Sequence, residues 1–384
     1  MTPRIPNKTD KPIIALLTNH DDDIYCFRKE LIEAFAEAGY GILISCPYGE
    51  KLELMQHISY IYDDPPIDRR STNPVADLKL YRHYHKLFSE YRPAVVLTYT
   101  AKPNVYAGIA AWRLGIPYIC NVTGLGSVLK LPSFVRAFIL RLFRFSYRRA
   151  ACVMFQNDTN MKLAEENRMI RGKHRLIPGS GVNTERYPLQ PYPAGGDGIH
   201  GKPVIFNYIG RIMHEKGVDD YIEAARRIRA DYPNTEFRLA GFIEPTESHY
   251  EADLKQLGEA GVIRYVGNLK DVKPYIAEAH ALIHPSVYGE GMSNVLLESA
   301  SSGRFLITTD NPGCRETVVE GETGFLYPGG DADALTAAIK RFLAMDNEKR
   351  RKMGEAGRQH VKNGFERRFV VDAYKEEIAS LVKK

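Results

Sequence analysis

The sequence predicts two doubly wound α/β domains in tandem, each a parallel sheet covered by helices on both faces. Three observations predict it. The chain has 384 residues, and domains of ~100–200 residues make two the natural number. Short β-branched runs alternate with amphipathic helical stretches almost throughout, as expected of strands buried on both faces. The rhythm breaks once, at PLQPYPAGGDGIHGKP (188–203), and then restarts.

In chain order, PIIALLTN (12–19) reads as a buried strand, followed by a helix over 25–40 that ends near Gly39. GILISCP (41–47), AVVLTYT (94–100), PYICNVT (117–123), CVMFQN (152–157) and HRLIPG (174–179) continue the first domain, 1–188. A linker over 189–203 leads to the second domain, 204–364. Its strands are PVIFNYIG (203–210), TEFRLAG (235–241), VIRYVG (262–267), ALIHPS (281–286), RFLITTD (304–310) and GFLYPG (324–329). Between the first two, Val218, Tyr221, Ile222, Ala225 and Ile228 recur at helical spacing. The last helical pattern, within 365–384, is free to pack back on the N-terminal domain.

Composition narrows the function classes. Hydrophobic residues make up 44% and charged residues 26%, as in ordinary globular proteins. The net charge of +5 suits an anionic ligand or an acidic membrane surface, and is too small to argue for nucleic acid. Five dispersed cysteines without a C-x-x-C point to a reducing, cytoplasmic setting and no structural zinc. No run reaches the ~18 apolar residues of a membrane span, and MTPRIPNKTDKP lacks the apolar core of a signal peptide. No strand is followed by G-x-G-x-x-G, which argues against a nicotinamide dehydrogenase.

Ligands of open α/β sheets bind beyond the carboxyl ends of the strands. In YIGRIMHEKGVDDYI (208–222) a strand ends at Gly210 and a helix begins after Lys216. Arg211 and Lys216 then flank a helix start, an arrangement that suits a pyrophosphate; two solvated basic residues are the plain alternative. In YGEGMSNVLLESASSG (288–303) a helix starts near Ser293 or Asn294, and the amides of its first turn, Ser293, Asn294 and Val295, can donate to phosphate oxygens. Glu290 precedes that helix and Glu298 lies inside it.

Paired carboxylates first suggest glycoside hydrolysis, but the spacing disfavours it. Eight helical residues span ~12 Å, whereas retaining glycosidases need carboxyls ~5–5.5 Å apart and inverting ones ~6.5–9.5 Å. The two glutamates are better placed to hold the ends of one extended ligand.

The combination G-R-x-x-x-E-K-G (210–217), H-P-S-x-x-x-E-G-x-x-x-x-x-x-E (284–298) and GCRETVVEGETGFLYPGGD (313–331) resembles the retaining family-4 glycosyltransferases of GT-B fold, over most of residues 200–345. The resemblance implies two Rossmann-like domains facing a cleft, with a nucleotide sugar on the C-terminal one. It implies that Arg211 and Lys216 grip the donor diphosphate and stabilise its leaving charge. Glu298 takes the ribose hydroxyls, Glu290 the donor sugar, and Gly210 belongs to the same site. Gly241–Phe242 and Gly267, Asn268 and Leu269 receive the base, mainly through backbone. No metal or other cofactor is implied.

TYTAKPNVYAGIAAWRLGIPYICNVTGLGS (98–127) resembles a narrower group, the bacterial α1,3-N-acetylgalactosaminyl- and galactosyltransferases that extend polyprenyl-diphosphate-linked glycans. That resemblance implies an acceptor side containing Lys102 and Asn104, with Lys102 meeting acceptor phosphates. Many family-4 enzymes have a histidine where this chain reads Asn121-Val122-Thr123-Gly124, so Asn121 or Thr123 is expected to replace it as a hydrogen-bonding group. His20 is grouped with this side. Asp21, Asp22 and Asp23, where the family has a glycine pair, invite a metal reading, but a solvated acidic loop is the expected form.

LKLPSFVRAFILRLFRFSYRRA (129–150) contains six basic and no acidic residues. Phe134, Phe138, Leu142 and Phe145 fall at helical spacing, so the segment is expected to contact an anionic membrane surface as well as the sheet. The expected protein is thus a retaining transferase on the cytoplasmic face of the inner membrane, moving a hexose or N-acetylhexosamine from a UDP-sugar to a polyprenyl-diphosphate-linked glycan. A nucleotide-sugar epimerase on the same scaffold, and a non-catalytic sugar-nucleotide-binding protein, are the rival readings.

Overall fold

The computed structural model describes residues 11–68, 73–125 and 133–382. They form two compact units: residues up to Ser180 with Arg367–Lys384, and Gly181–Glu366. The last two residues and positions 126–132, part of the basic segment, lie outside the described residues.

Among the described residues the first unit holds strands β1 (Ile13–Leu17), β2 (Gly41–Ser45), β3 (Ile61–Asp63), β4 (Val95–Tyr99), β5 (Tyr118–Val122), β6 (Cys152–Phe155) and β7 (His174–Leu176). They pair in parallel in the order β3-β2-β1-β4-β5-β6-β7. Side chains alternate across a strand. Accordingly Ile13, Ala15 and Leu17 enter one apolar cluster while Ile14 and Leu16 enter the other. Both faces of β1 are covered, which is why it reads as a continuous apolar run.

The second unit holds β8 (Val204–Ile209), β9 (Thr235–Ala240), β10 (Arg264–Gly267), β11 (Ala281–His284), β12 (Phe305–Thr309) and β13 (Gly324–Tyr327). Their order is β10-β9-β8-β11-β12-β13, again parallel. Each sheet reverses its strand order once, between β1 and β4 and between β8 and β11. Those reversals open the crevices in which such sheets bind ligands.

Three local features depart from the sequence expectations. The short strand β3 escaped notice because three residues carry no readable period. The helix expected over 25–40 is two helices, Asp21–Phe27 and Lys29–Glu37, broken at Arg28 (φ −126°, ψ 0°). Arg28 is 4% exposed; its guanidinium donates to Phe27 O and Ser180 Oγ and lies 4.2 Å from the Tyr99 ring centroid. The aspartates 21–23 are not a loop but the first turn of a helix, where negative charge meets the positive end of the dipole.

The basic segment forms the helix Ser133–Tyr147, and the aromatics that bury are Phe143 and Tyr147, stacked at 5.2 Å. Phe134 and Phe138 stay 79% and 61% exposed.

The Pro/Gly stretch 189–203 packs within the second unit. Arg304, fully buried, donates to Gln190 O at 2.6 Å, Pro191 O at 2.9 Å and Ala279 O at 3.2 Å. Arg350, also fully buried, donates to Gly196 O at 2.9 Å and Leu343 O at 2.8 Å. Burial lowers the Arg304 pKa to about 10, and backbone carbonyls take the place of a counter-ion.

The final helix, Arg367–Val382, belongs to the first unit, where Tyr374 accepts a 2.8 Å hydrogen bond from Asn121 Nδ2.

Candidate active site

In the second unit, chain segments from both sides of the sheet reversal converge at the carboxyl ends of β8 and β11. After β8 the chain passes Gly210 and Arg211, makes a 3-10 turn at His214–Lys216, and enters the helix Val218–Asp231 through Gly217. Gly217 has φ 71°, and a Cβ there would lie 1.9 Å from Pro285 O. Only glycine lets this turn approach the β11 loop so closely. Val287 N donates to Glu215 O at 3.1 Å, closing the contact from the other side.

That approach brings Lys216 Nζ to 2.8 Å from Glu290 Oε1, with the side chains 11% and 14% exposed. His284, at the end of β11 and 2% exposed, places Nε2 2.9 Å from the same oxygen and 3.2 Å from Ser293 Oγ. Burial opposes the charge of Glu290, yet the Lys216 charge and the His284 hydrogen bond outweigh it and hold the carboxyl far below its ordinary range. Burial likewise opposes the Lys216 charge, and Glu290 reverses it, leaving the ammonium above its ordinary value. The Tyr288 ring centroid, 5.5 Å from Nζ, adds a cation–π contact.

The C-terminal motif shapes this loop. Glu290 N donates to Pro312 O and Ser293 N to Gly313 O, both at 2.8 Å, while Gly313 N donates to Glu316 Oε2 at 2.8 Å. The Ser293 amide is therefore spent on the loop and is withdrawn from the expected phosphate donors. The helix Asn294–Ser301 follows, and its first-turn amides, Asn294 and Val295, have no intrahelical partners. Glu298 lies on this helix, half-buried, so the pair stands as expected, one glutamate before the helix and one within it.

Arg211 is paired with Glu244, Nη1 to Oε2 at 3.2 Å, and its carbonyl accepts from Tyr208 Oη at 2.8 Å. At the end of β9, Gly241 has φ 143°, with room for no side chain beside Gly210 O; its amide donates to Gly267 O at 2.9 Å. Phe242 is 45% exposed, Asn268 is exposed and Leu269 half-buried. The residues expected to take a base thus share one edge of the same sheet end.

Sequence reasoning assigned no role to His284, although it quoted the H-P-S motif, and it missed Glu244, which is 33 positions from its partner.

In the first unit the expected acceptor-side residues separate. Asn104 and Asn121 are 2% and 1% exposed, and their amides are engaged within the unit. Asn104 Oδ1 accepts from Thr98 and its Nδ2 donates to Asn121 O, while Asn121 bonds Tyr374 and Gln156. The expectation that Asn121 stands as a hydrogen-bonding group in place of a histidine meets a side chain already used for packing. Thr123 is half-buried just beyond β5. Lys102 Nζ is ion-paired with Asp77 at 2.8 Å. His20 caps the helix Asp21–Phe27, its Nδ1 3.2 Å from Asp22 N.

Two groups among the described residues have metal-type donor atoms within 4.8 Å of one another: His284, Glu290 and Cys314, and His20, Asp21 and Asp22. In each a lysine ammonium already stands where a cation would, Lys216 2.8 Å from Glu290 and Lys51 2.7 Å from Asp22.

Residues 13–157 match the model of the glycosyl transferase 4-like family, and residues 196–360 that of glycosyl transferases group 1. The chain is 25% identical over 350 residues to an N,N'-diacetylbacillosaminyl-diphospho-undecaprenol α-1,3-N-acetylgalactosaminyltransferase of Campylobacter jejuni, covering 88% of this chain and 90% of that one. It is 25% identical over 329 residues to the capsular polysaccharide biosynthesis glycosyltransferase CapM of Staphylococcus aureus, covering 83% and 84%.

A glycosyltransferase from Rickettsia africae superposes with a TM-score of 0.77 at 16% identity, over 98% of this chain and all of that one. HepE of Anabaena, in complex with UDP and glucose, superposes with a TM-score of 0.76 at 16% identity, over 96% and 99%; at such identity the likeness concerns the fold. With two parallel-sheet domains, a buried Lys–Glu–His cluster at the second sheet's reversal, and both family models matched in order, this chain belongs to the GT-B glycosyltransferases, a glycosyl transferase 4-like domain preceding a group 1 domain.

Proposed function

We propose that the protein transfers a hexose or N-acetylhexosamine, with retention, from a UDP-sugar to a polyprenyl-diphosphate-linked glycan in bacterial surface-glycan assembly. The observation that carries the donor half is the Lys216–Glu290–His284 cluster beside Arg211 and the start of the helix Asn294–Ser301. Lys216 and Arg211 would take the diphosphate, and the first-turn amides of Asn294 and Val295 would add donors to it. Glu290 would turn to a hydroxyl of the donor sugar, Glu298 to the ribose, and the ends of β9 and β10 to the base.

These cations act as the sugar–phosphate bond breaks, because charge then grows on the leaving diphosphate. A leaving phosphate oxygen can itself accept the proton of the attacking hydroxyl on the same face of the sugar, so retention needs no separate side-chain base. No metal or cofactor enters the scheme. The acceptor half is supported by the N-terminal motif and by what the Campylobacter relative's name states of that protein. The exposed Phe134 and Phe138 on a basic helix support contact with the cytoplasmic face of an anionic inner membrane. No helix among the described residues is long and apolar enough to cross one.

The experiment is a mass-spectrometric screen of UDP-hexoses and UDP-N-acetylhexosamines with membrane-extracted polyprenyl-linked glycans. A mass gain of one sugar on the lipid-linked glycan, with UDP released, is expected. Conversion of the donor without acceptor would favour an epimerase, and UDP binding without any transfer a non-catalytic binder.

A further inference from the structure

At the carboxyl end of β4, where the first sheet reverses, several features meet that the donor site does not use. Thr100, one residue past the strand, has φ 66°. A β-branched residue in the left-handed region costs on the order of 1–3 kcal/mol, and such strain collects at binding and catalytic sites. Its Oγ1 is buried without a hydrogen-bond partner among the described residues. Pro103–Ala107 then winds as a π-helix, a form found mostly at functional sites.

Between these two irregularities stands Lys102. Its Nζ lies 2.8 Å from Asp77 Oδ1, and Tyr106 Oη donates to Asp77 Oδ2 at 2.7 Å. Asp77 comes from the first turn of the helix Pro74–Tyr91. The side chains of Asp77 and Lys102 are each 16% exposed, sheltered yet open to a ligand. Burial and the Asp77 carboxylate keep the Tyr106 phenol protonated.

The charges decide what such a group can recognise. The Lys102–Asp77 pair is neutral, and residues 100–107 add no second cation and, at Pro103, no amide. Unlike Lys216, which stands with Arg211 and a helix start, Lys102 therefore offers a phosphate little net attraction. Hydroxyls are a better match: the carboxylate has about four acceptor directions, two of them used, and the ammonium has three donors, one used. Acceptor and donor stand side by side, as adjacent sugar hydroxyls require. We propose that Asp77, Lys102 and Tyr106 form a hydroxyl-binding subsite for a sugar of the acceptor. The proposal rests on the glycosyltransferase reading above, and it moves Lys102 from the acceptor's phosphates to its glycan.

The test is calorimetric binding, with UDP present, of two synthetic probes: a short-chain prenyl-diphosphate-linked N-acetylhexosamine and the same prenyl diphosphate without sugar. Asp77→Asn keeps the shape and frees the lysine charge. A hydroxyl subsite loses about tenfold in affinity for the sugar-bearing probe, the value of one charge-assisted hydrogen bond, with no loss for the sugar-free probe. Tyr106→Phe, which leaves the ion pair intact, weakens the sugar-bearing probe by a few-fold.

If Asp77→Asn tightens the sugar-bearing probe, the site takes phosphate and the proposal fails. It fails equally if neither variant changes that affinity, or if the unmodified protein binds both probes alike. UDP affinity, measured on the same samples, is expected to stay constant. Its absence in the unmodified protein would overturn the donor reading, and with it the basis of this proposal.

Discussion

Lys216 Nζ and Glu290 Oε1 are 2.8 Å apart, so the cation assigned to the donor's diphosphate and the carboxylate assigned to its sugar hold each other. Each keeps the other ionised and in place at a site nearly closed to water. A donor that claims Lys216 must release Glu290 from part of that contact, and His284, on the same carboxylate oxygen, remains to hold it.

The depressed Glu290 pKa has a consequence for stability against pH. A carboxyl whose folded pKa lies below its unfolded value of ~4.3 contributes stability that is complete above that value and is lost as pH falls towards the folded one. Melting temperature should therefore fall more steeply below about pH 5 in the unmodified protein than in Glu290→Gln. Parallel melting profiles from pH 7 to pH 3 would show that Glu290 is not held by Lys216 and His284.

Gly241→Ala tests the packing of the strand ends. The new Cβ would lie 1.8 Å from Gly210 O at a φ of 143°, so the end of β9 must move off the end of β8, where Arg211 begins. Strain on the order of 1–3 kcal/mol should appear as a lower melting temperature and a UDP affinity weakened by about tenfold or more. Unchanged UDP binding would mean that the two strand ends are independent.

Arg304 fastens the stretch 189–203. Arg304→Met strips hydrogen bonds from Gln190 O, Pro191 O and Ala279 O. Each buried carbonyl left unpaired costs about 1–3 kcal/mol, so a loss of roughly 3 kcal/mol in the second unit is expected by thermal or urea unfolding. Arg304→Lys should rescue little, because an ammonium lacks the planar fork that reaches several carbonyls together. Full recovery with lysine would reduce the role of Arg304 to its charge.

Phe134→Ser with Phe138→Ser tests the membrane reading. Both rings are exposed, so their removal should leave the melting temperature within a degree or two while lowering the partition coefficient onto phosphatidylglycerol-containing vesicles, read by co-sedimentation, about a hundredfold or more, each ring contributing about 2 kcal/mol on insertion. Equal sedimentation of both forms would leave the helix as an ordinary basic surface.

Much of this was legible in the sequence because its signals are periodic or chemical. Fully apolar runs such as IIALL announce strands buried on both faces, and Val295, Leu296 and Leu297 behind Ser293 and Asn294 place a helix start between Glu290 and Glu298. The illegible parts depend on contacts remote in sequence. The helix break at Arg28 follows from its contacts with Tyr99 and Ser180, and the engagement of Asn121 from Tyr374, 253 positions on. Phe134 and Phe138 match the helical period as well as Phe143 does, and periodicity does not tell which stripe the sheet will cover. Asp77 and Lys102 meet across 25 positions, with no motif joining them.

Calorimetric titration of UDP into the unmodified protein, Arg211→Ala and Lys216→Ala tests the central claim most directly. The account predicts binding without added metal and in the presence of EDTA, weakened about 10- to 100-fold by either substitution, the worth of one or two charge-assisted hydrogen bonds. UDP affinity unchanged in both variants would contradict the assignment of this cluster to the donor's diphosphate.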